Sequence, residues 1–189
     1  IDPEQLRGLG LYDQVIDCRG VGAQSTWNKS RPALRGVRGE VIRLYAPEVK
    51  LRRPTRLIHP RYPIYIAPKE NDIYVVGATE IESDDLSEMS VRSAMELLSA
   101  VYTVHSGFAE ARILEMATQC RPTLKNNLPQ IRVQKDKGLA DLIMINGLYR
   151  HGFMISPAVL DSTLELLESG QSNTALELGL SITSNTSNH

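Results

Sequence analysis

The stretch from Asn146 to Pro157 constrains this chain most, because it links an apolar run to a helical run through a short loop. The apolar run, Leu139 to Ile145, predicts a buried strand. Ser156 followed by Pro157 is typical of a helix N-cap and first helical residue, and Gly170 predicts the end of that helix. The sequence therefore predicts a strand, a loop and a helix in direct succession.

The loop carries polar and aromatic residues between two glycines. Gly147 and Gly152 permit a positive φ and a close backbone approach to a ligand, and Tyr149, Arg150 and His151 lie between them. A loop that leads to a helix N-terminus favours an anion or an electron-rich ring, because the helix dipole is positive there. An ordinary strand-to-helix connection is the alternative that the local pattern leaves open.

The composition excludes several classes of partner. The 189 residues include 21 basic and 22 acidic ones, and this near-neutral charge argues against nucleic acid or an anionic membrane surface as a partner. No run approaches the ~18 apolar residues of a membrane span, and no signal-peptide pattern is present, so we expect a cytoplasmic location. Cys18, Cys120 and the histidines lack metal-ligand spacing, and no metal site is predicted.

The N-terminal part of the chain predicts a second loop at the end of a strand. Tyr12 to Cys18 reads as a short buried strand, and Gly20 and Gly22 follow it. The outline is that of a nucleotide-binding turn, but the match to the dinucleotide fingerprint is weak because Ser25 replaces its third glycine.

The middle of the chain predicts an antiparallel sheet covered by one helix. Strand patterns occupy residues 36–45, 55–59, 64–68, 72–80 and 111–121, with a hairpin turn at 69–72 and a proline-containing connector at 30–34. Apolar residues at helical spacing predict a helix from Ser90, as N-cap, to His105. We expect residues 123–138 to be irregular and residues 183–189 to form a disordered tail.

Two arginines and a tyrosine are the candidate substrate contacts. Arg121 precedes a proline at the end of a predicted strand, and Arg150 lies in the glycine-flanked loop. A rigidly held guanidinium can clamp a carboxylate through two hydrogen bonds, whereas the alternative is a surface cation whose stem packs on the core. Tyr65 could offer its hydroxyl to the same ligand or could be an interfacial core tyrosine. We expect Glu40 and Glu80 to be solvated acids at strand ends.

Five ordered motifs together resemble a known family. They are Val15 to Ala23, Val37 to Glu40, Tyr65 to Pro68 with Val75 to Thr79, Cys120 to Pro122, and Asn146 to Gly152. In this order and spacing they resemble the C-terminal half of the FAD-dependent D-amino acid oxidase family, most closely its glycine oxidases. The resemblance implies a fold of the α+β and α/β classes. An antiparallel-sheet substrate domain with flanking helices, residues 35–121, would join the C-terminal part of an FAD-binding nucleotide-type domain, residues 1–34 and 122–182.

The resemblance also implies a reaction and its residues. The reaction is the oxidative deamination of glycine or another small amino acid, for thiamine thiazole biosynthesis, with hydride transfer from Cα to N5 of FAD and reoxidation by O2 to H2O2. Arg121, Tyr65 and Arg150 would contact the substrate. The residues that would contact FAD are Gly20, Gly147, Leu148, Tyr149, Arg150 and Gly152.

Some features depart from the family pattern. Leu148 and His151 replace the usual histidine and asparagine, and Glu80 stands where glycine oxidases can carry an apolar residue. The glycine-rich FAD fingerprint would lie upstream of Ile1, so we expect a C-terminal fragment, a proteolysed product or one subunit of a split enzyme. The expected partners are the small amino acid substrate, O2, and either a missing N-terminal half or further copies in a homo-oligomer. One alternative is a non-catalytic fragment or subunit that holds FAD only with a partner chain. The other alternative is another family member, such as a sarcosine oxidase.

Overall fold

The computed structural model describes residues 2–29, 34–58 and 63–187, with only the backbone described for residues 185–187. The chain divides into two compact units, residues 1–36 with 121–189 and residues 37–120. The sequence predicted boundaries at 34/35 and 121/122, within two residues of these positions. The roles assigned to the two segments, flavin domain and substrate domain, stay predictions. Most of the predicted connector at 30–34 lies outside the described residues.

The first part of the described chain contains α1 (Pro3–Arg7), β1 (Gln14–Asp17), a 3-10 turn (Gly20–Ala23), α2 (Gln24–Trp27), β2 (Arg35–Tyr45), β3 (Thr55–Leu57), β4 (Ile64–Pro68) and β5 (Ile73–Gly77). After these come α3 (Val91–Val104), a second 3-10 turn (Ser106–Glu110), β6 (Arg112–Thr123), β7 (Gln130–Asp136), β8 (Asp141–Asn146), α4 (Gly152–Ser169), α5 (Asn173–Leu178) and β9 (Ser181–Ser187).

The unit of residues 37–120 is built on a sheet with strand order β3-β4-β5-β2-β6. β5 pairs antiparallel with both β4 and β2, which confirms the antiparallel prediction for these strands. A turn joins β4 and β5 where the sequence predicted a hairpin, and Asn71 and Asp72 adopt positive φ in it. The core of this unit is formed by apolar side chains of β2, β4, β5, α3 and the second 3-10 turn, among them Ile42, Ile66 and Leu97.

Helix α3 confirms a local prediction. The Ser90 hydroxyl accepts a hydrogen bond from the Ser93 amide at 3.1 Å, so Ser90 caps the helix. Leu97, Ala100 and Val101 are buried on one face of the helix. Burial of this apolar face stabilises the helix against the sheet.

The unit of residues 1–36 and 121–189 contains a sheet of order β1-β8-β7-β9. β1 and β8 are parallel, β7 is antiparallel to β8, and β9 is parallel to β7. One core cluster surrounds the fully buried Trp27, and the centroid of its ring lies 3.9 Å from the guanidinium carbon of the buried Arg132. A second cluster joins β7 and β8 to α4 through Ile131, Ile143 and Val159.

Three predictions about this unit were wrong. Residues 130–136 form β7 instead of an irregular segment, because β8 and β9 pair with their backbone on both sides. The predicted disordered tail is a strand as far as Ser187, since its polar residues pair with β7, and residues 188–189 lie outside the described residues.

The start of α4 was also predicted wrongly. The helix begins at Gly152 with His151 as N-cap, and Pro157 lies inside it. The amides of Met154 and Ile155 both donate to the His151 carbonyl at 3.0 Å, so helical bonding begins before the proline. The Ser156 hydroxyl donates back to the Gly152 carbonyl instead of capping the helix.

Candidate functional site

The loops that follow β1 and β8 lie at one edge of a sheet. The two strands are parallel, with Asp17 opposite Met144, so both chains leave the sheet in the same direction. Parallel strands gather their following loops into a crevice at this edge, where ligands of open α/β sheets bind. The buried Asn146 links the loops, because its side-chain amide donates to the Gly20 carbonyl at 2.9 Å. The sequence-predicted Gly20 and Gly147 are thereby brought together.

The β8–α4 loop, residues 147–151, rests on the end of β6 and the residues after it. The amide of Tyr149 donates to the Pro122 carbonyl at 3.0 Å. At Gly147, φ is +81° and a Cβ atom would lie 2.7 Å from Cγ and Cδ1 of Leu124. Gly147 is therefore required by packing within this unit as well as by its backbone conformation.

The side chains of this loop differ in exposure. Leu148 and Tyr149 are half-buried, whereas Arg150 and His151 are exposed. Tyr149 adopts a φ of +50°, and its ring meets that of His151 edge to face, with centroids 6.4 Å apart. Gly152 opens α4, so the positive end of an 18-residue helix dipole lies at this loop. The backbone and the helix end fit an electron-rich or anionic group.

Asp17 and Arg19, at the same edge of the sheet, form an ion pair that was not predicted from the sequence. Both carboxylate oxygens of the buried Asp17 accept bonds from Arg19, at 2.9 Å from Nε and 2.8 Å from Nη2, and Oδ1 also accepts from its amide. Burial raises the pKa of Asp17, but the hydrogen bonds and charge of Arg19 outweigh it and leave the pKa below its ordinary value. An acid that ends a buried strand, with an arginine two residues later, is the signal that could have revealed the pair.

A cavity of about 430 Å³ lies beside the first turns of α4. Its lining is mostly apolar and includes Leu128, Met154, Val159 and Leu180, with His151 also in contact. This volume is within the range of pockets for small ligands. The cavity suits an apolar group next to the β8–α4 loop.

In the unit of residues 37–120, Tyr65 lies on β4 opposite Gly77 of β5. Tyr65 is 43% exposed. A Cβ atom on Gly77 would lie 2.9 Å from the Tyr65 hydroxyl, so the phenol rests over the backbone of this glycine. Tyr65 therefore offers a partly exposed hydroxyl in a position that requires glycine beneath it.

Glu40 is not the solvated acid that the sequence predicted. It is fully buried, and its carboxylate accepts bonds from Arg38 and Thr79. Burial raises the pKa of Glu40, but hydrogen bonds from Ser93, Arg38 and Thr79 and the charge of Arg38 together hold it below its ordinary value. Arg38 and Glu40 lie at two-residue spacing from the apolar Ile42 and Leu44, which places all four side chains on one face of β2. This spacing is the signal that was misread.

Residues 2–159 match the family described as FAD dependent oxidoreductase, DAO. The chain belongs to the DAO family. A Rhizobium etli protein that carries the name thiamine biosynthesis oxidoreductase ThiO is 44% identical over 162 residues, which are 85% of this chain and 47% of that protein. The D-amino acid oxidase of Dugesia ryukyuensis is 27% identical over 133 residues, 70% of this chain and 36% of that protein.

The fold is also that of known DAO family structures. The glycine oxidase of Bacillus cereus ATCC 14579 superposes with a TM-score of 0.72 at 23% identity, over 87% of this chain and 45% of that one. The predicted family and fold class are thus confirmed. The chain spans less than half the length of these relatives. In the ranges that the structure describes, no helix is long and apolar enough to cross a membrane.

The structure places the predicted site residues of this DAO family chain in both units. The two loops carry Gly20 and residues 147–151, and Gly152 is the first residue of α4. The half-buried Arg121 lies on β6 beside Pro122, whose carbonyl accepts a hydrogen bond from the Tyr149 amide. Tyr65 belongs to the other unit. The contacts of these residues with substrate and FAD stay predictions.

Proposed function

We propose that this chain supplies substrate and flavin contacts of an FAD-dependent oxidase of glycine or another small amino acid. The observation that carries the proposal is the position of the β8–α4 loop. Asn146, just before the loop, is hydrogen-bonded to Gly20, and Tyr149 in the loop is hydrogen-bonded to Pro122, the neighbour of Arg121 on β6. This loop lies at a ligand-binding edge of the sheet in a chain of the DAO family. The name of the ThiO relative supports a place in thiamine biosynthesis.

FAD, when bound, supplies the acceptor for the hydride that leaves the amino acid Cα, and O2 takes up the electrons as H2O2. The residues expected to hold it are Gly20 and residues 147, 148, 149, 150 and 152. The positive N-terminal end of the α4 dipole would stabilise negative charge at the loop. This chain would contribute backbone contacts and helix polarity to that role. No strong base is required of the chain.

The substrate would be held by its carboxylate. Arg121 offers a guanidinium for two parallel hydrogen bonds, a geometry that fixes the orientation of the carboxylate. Arg150 adds a second cation at the loop, and Tyr65 adds a hydroxyl. Such positioning lowers the barrier because the Cα–H bond is held in a reactive orientation.

The test combines an absorbance spectrum, an intact mass and a peroxide assay with a panel of amino acids. In the intact enzyme to which this chain would contribute, we expect flavin absorbance, and H2O2 release that is greatest with glycine or another small amino acid. A chain of the full expected mass that takes up FAD only after a second polypeptide is added would support the subunit alternative. Preferred turnover of an N-methylated amino acid would support a sarcosine oxidase. The cytoplasmic location and any homo-oligomer stay predictions.

A further inference from the structure

Arg38 and Glu40 form a buried ion pair that the proposed reaction does not use. Their side chains are 6% and 0% exposed, and the Glu40 carboxylate accepts from Nη2 of Arg38 at 2.7 Å and from Nε at 3.1 Å. Ile42 and Leu44 follow on the same face of β2 and belong to the core. Burying this ion pair in the core costs desolvation free energy. The hydrogen bonds that the pair makes with neighbouring residues therefore indicate its role.

Glu40 fixes Thr79 by reciprocal hydrogen bonds. The Thr79 hydroxyl donates to the Glu40 carboxylate at 2.9 Å and accepts from the Glu40 amide at 2.9 Å, and the Thr79 amide donates to the Glu40 carbonyl at 3.3 Å. Three bonds between two residues leave Thr79 little freedom. The residue is therefore held to β2 just beyond the end of β5.

Arg38 fixes the rest of the β5–α3 connection, residues 78–90. Its guanidinium donates to the carbonyls of Asp85 and Glu88, both at 2.8 Å. Its backbone exchanges hydrogen bonds with Ile81, at 2.8 and 3.0 Å. The connection is thus held at three successive points by one buried residue.

The end of β5 in turn determines where the Tyr65 hydroxyl lies. Gly77 pairs with Tyr65 on one side and with Val41 on the other. A Cβ atom at residue 77 would be 2.9 Å from the Tyr65 hydroxyl and 2.7 Å from Cγ1 of Val41, so these groups pack directly on the Gly77 backbone. Thr79 is two residues from this contact, so we expect a shift of Thr79 to move it.

We propose that Arg38 and Glu40 are positioning residues for Tyr65: the buried pair fixes Thr79, and with it the end of β5 on which the Tyr65 hydroxyl rests. The importance of Tyr65 for catalysis rests on the proposed function. The mechanical link from Glu40 to Tyr65 does not, because it needs neither substrate nor FAD.

The link can be tested by 19F NMR of the chain labelled with 3-fluorotyrosine. The chain has seven tyrosines, and Tyr65→Phe assigns the resonance of interest. We expect Thr79→Val, which removes the hydroxyl and keeps the shape, to shift or split the Tyr65 resonance more than any other. Glu40→Gln should act in the same direction. Thr79→Ser retains the hydroxyl and should restore the wild-type resonance.

The control is Glu115→Gln, which removes an exposed ion pair between Glu115 and Arg43 of the same β2 strand. It should leave Tyr65 unchanged. The proposal is overturned if Thr79→Val leaves the Tyr65 resonance in place, or if all tyrosine resonances move equally. Should Glu40→Gln fail to fold, the Thr79 variants decide the outcome. Absence of amino acid turnover would count against the proposed function and leave this result unaffected.

Discussion

Gly147 lies so close to Leu124 that a Cβ atom on residue 147 would stand 2.7 Å from both Cγ and Cδ1 of the leucine. The same glycine has a φ of +81°, which L-residues rarely adopt. A side chain at position 147 would therefore meet both a steric clash with Leu124 and an unfavourable backbone conformation. Neither effect depends on a bound ligand.

Gly147→Ala should lower the free energy of unfolding by about 3 kcal/mol, the sum of a left-handed backbone penalty and overpacking. Gly138→Ala is the matched control, because Gly138 also has a φ of +81° but nothing lies within 4 Å of its Cβ position. It should cost only about 1 kcal/mol. Urea unfolding of both variants measures the difference, and equal losses would show that the Leu124 contact is unimportant.

The Asp17–Arg19 pair should make stability depend on pH. The folded-state pKa of Asp17 is lowered, so its contribution is fully present above the ordinary value of 3.8 and is lost as the pH falls through the folded-state pKa. Asp17→Asn should therefore lower the urea midpoint at neutral pH, with a difference that shrinks in acid. Arg19→Gln should show the same trend. A difference between wild type and Asp17→Asn that stays constant down to acid unfolding would contradict this assignment.

Ser90→Ala should remove the cap of α3 and cost about 1 kcal/mol of unfolding free energy. The hydroxyl accepts from the Ser93 amide, which then loses its partner in the first turn. Ser99→Ala is the control, since Ser99 is an exposed residue inside the same helix. It should be neutral or slightly stabilising because alanine has the higher helix propensity. Thermal unfolding would rank the two, and the reverse order would contradict the cap.

Features set by neighbouring residues could be predicted from the sequence. Ser90 and the apolar period after it predicted α3, and the turn residues Asn71 and Asp72 predicted the hairpin, because caps and turns depend on a few adjacent residues. The residues that join the two loops could be only partly predicted. Gly20 and Gly147 were predicted as ligand contacts, whereas the bond from Asn146 to the Gly20 carbonyl spans 126 positions.

Features set by distant parts of the chain could not be predicted. β7 and β9 have polar sequences, and their strands depend on backbone pairing. β7 pairs with both β8 and β9, and β9 pairs with β7. Glu40 was assigned to solvent although its partner Arg38 is only two residues away, because the burial of this face of β2 and the bond with Thr79 depend on residues far along the chain. The predicted start of α4 was wrong because proline is common at the first position of a helix, whereas in this chain a turn of helix precedes Pro157.

Arg121 gives the sharpest prediction about the proposed reaction. Arg121→Lys keeps the positive charge but replaces the planar fork by a point charge, so one of two parallel hydrogen bonds to a carboxylate is lost. In the flavin-loaded protein, we expect KM for glycine to rise about tenfold or more, since each 1.4 kcal/mol is a factor of ten. The rise in KM should exceed the fall in kcat.

The matched control for this prediction is Arg112→Lys, an exposed arginine of the same strand, β6. It should leave KM and kcat unchanged, because an exposed guanidinium contributes little through charge alone. Glycinamide, which lacks the carboxylate, should be a poor substrate for the wild type and should discriminate little between wild type and Arg121→Lys. If Arg121→Lys raised KM equally for glycine and glycinamide, Arg121 would be a structural cation and the carboxylate clamp would have to be sought elsewhere, with Arg150 the next candidate.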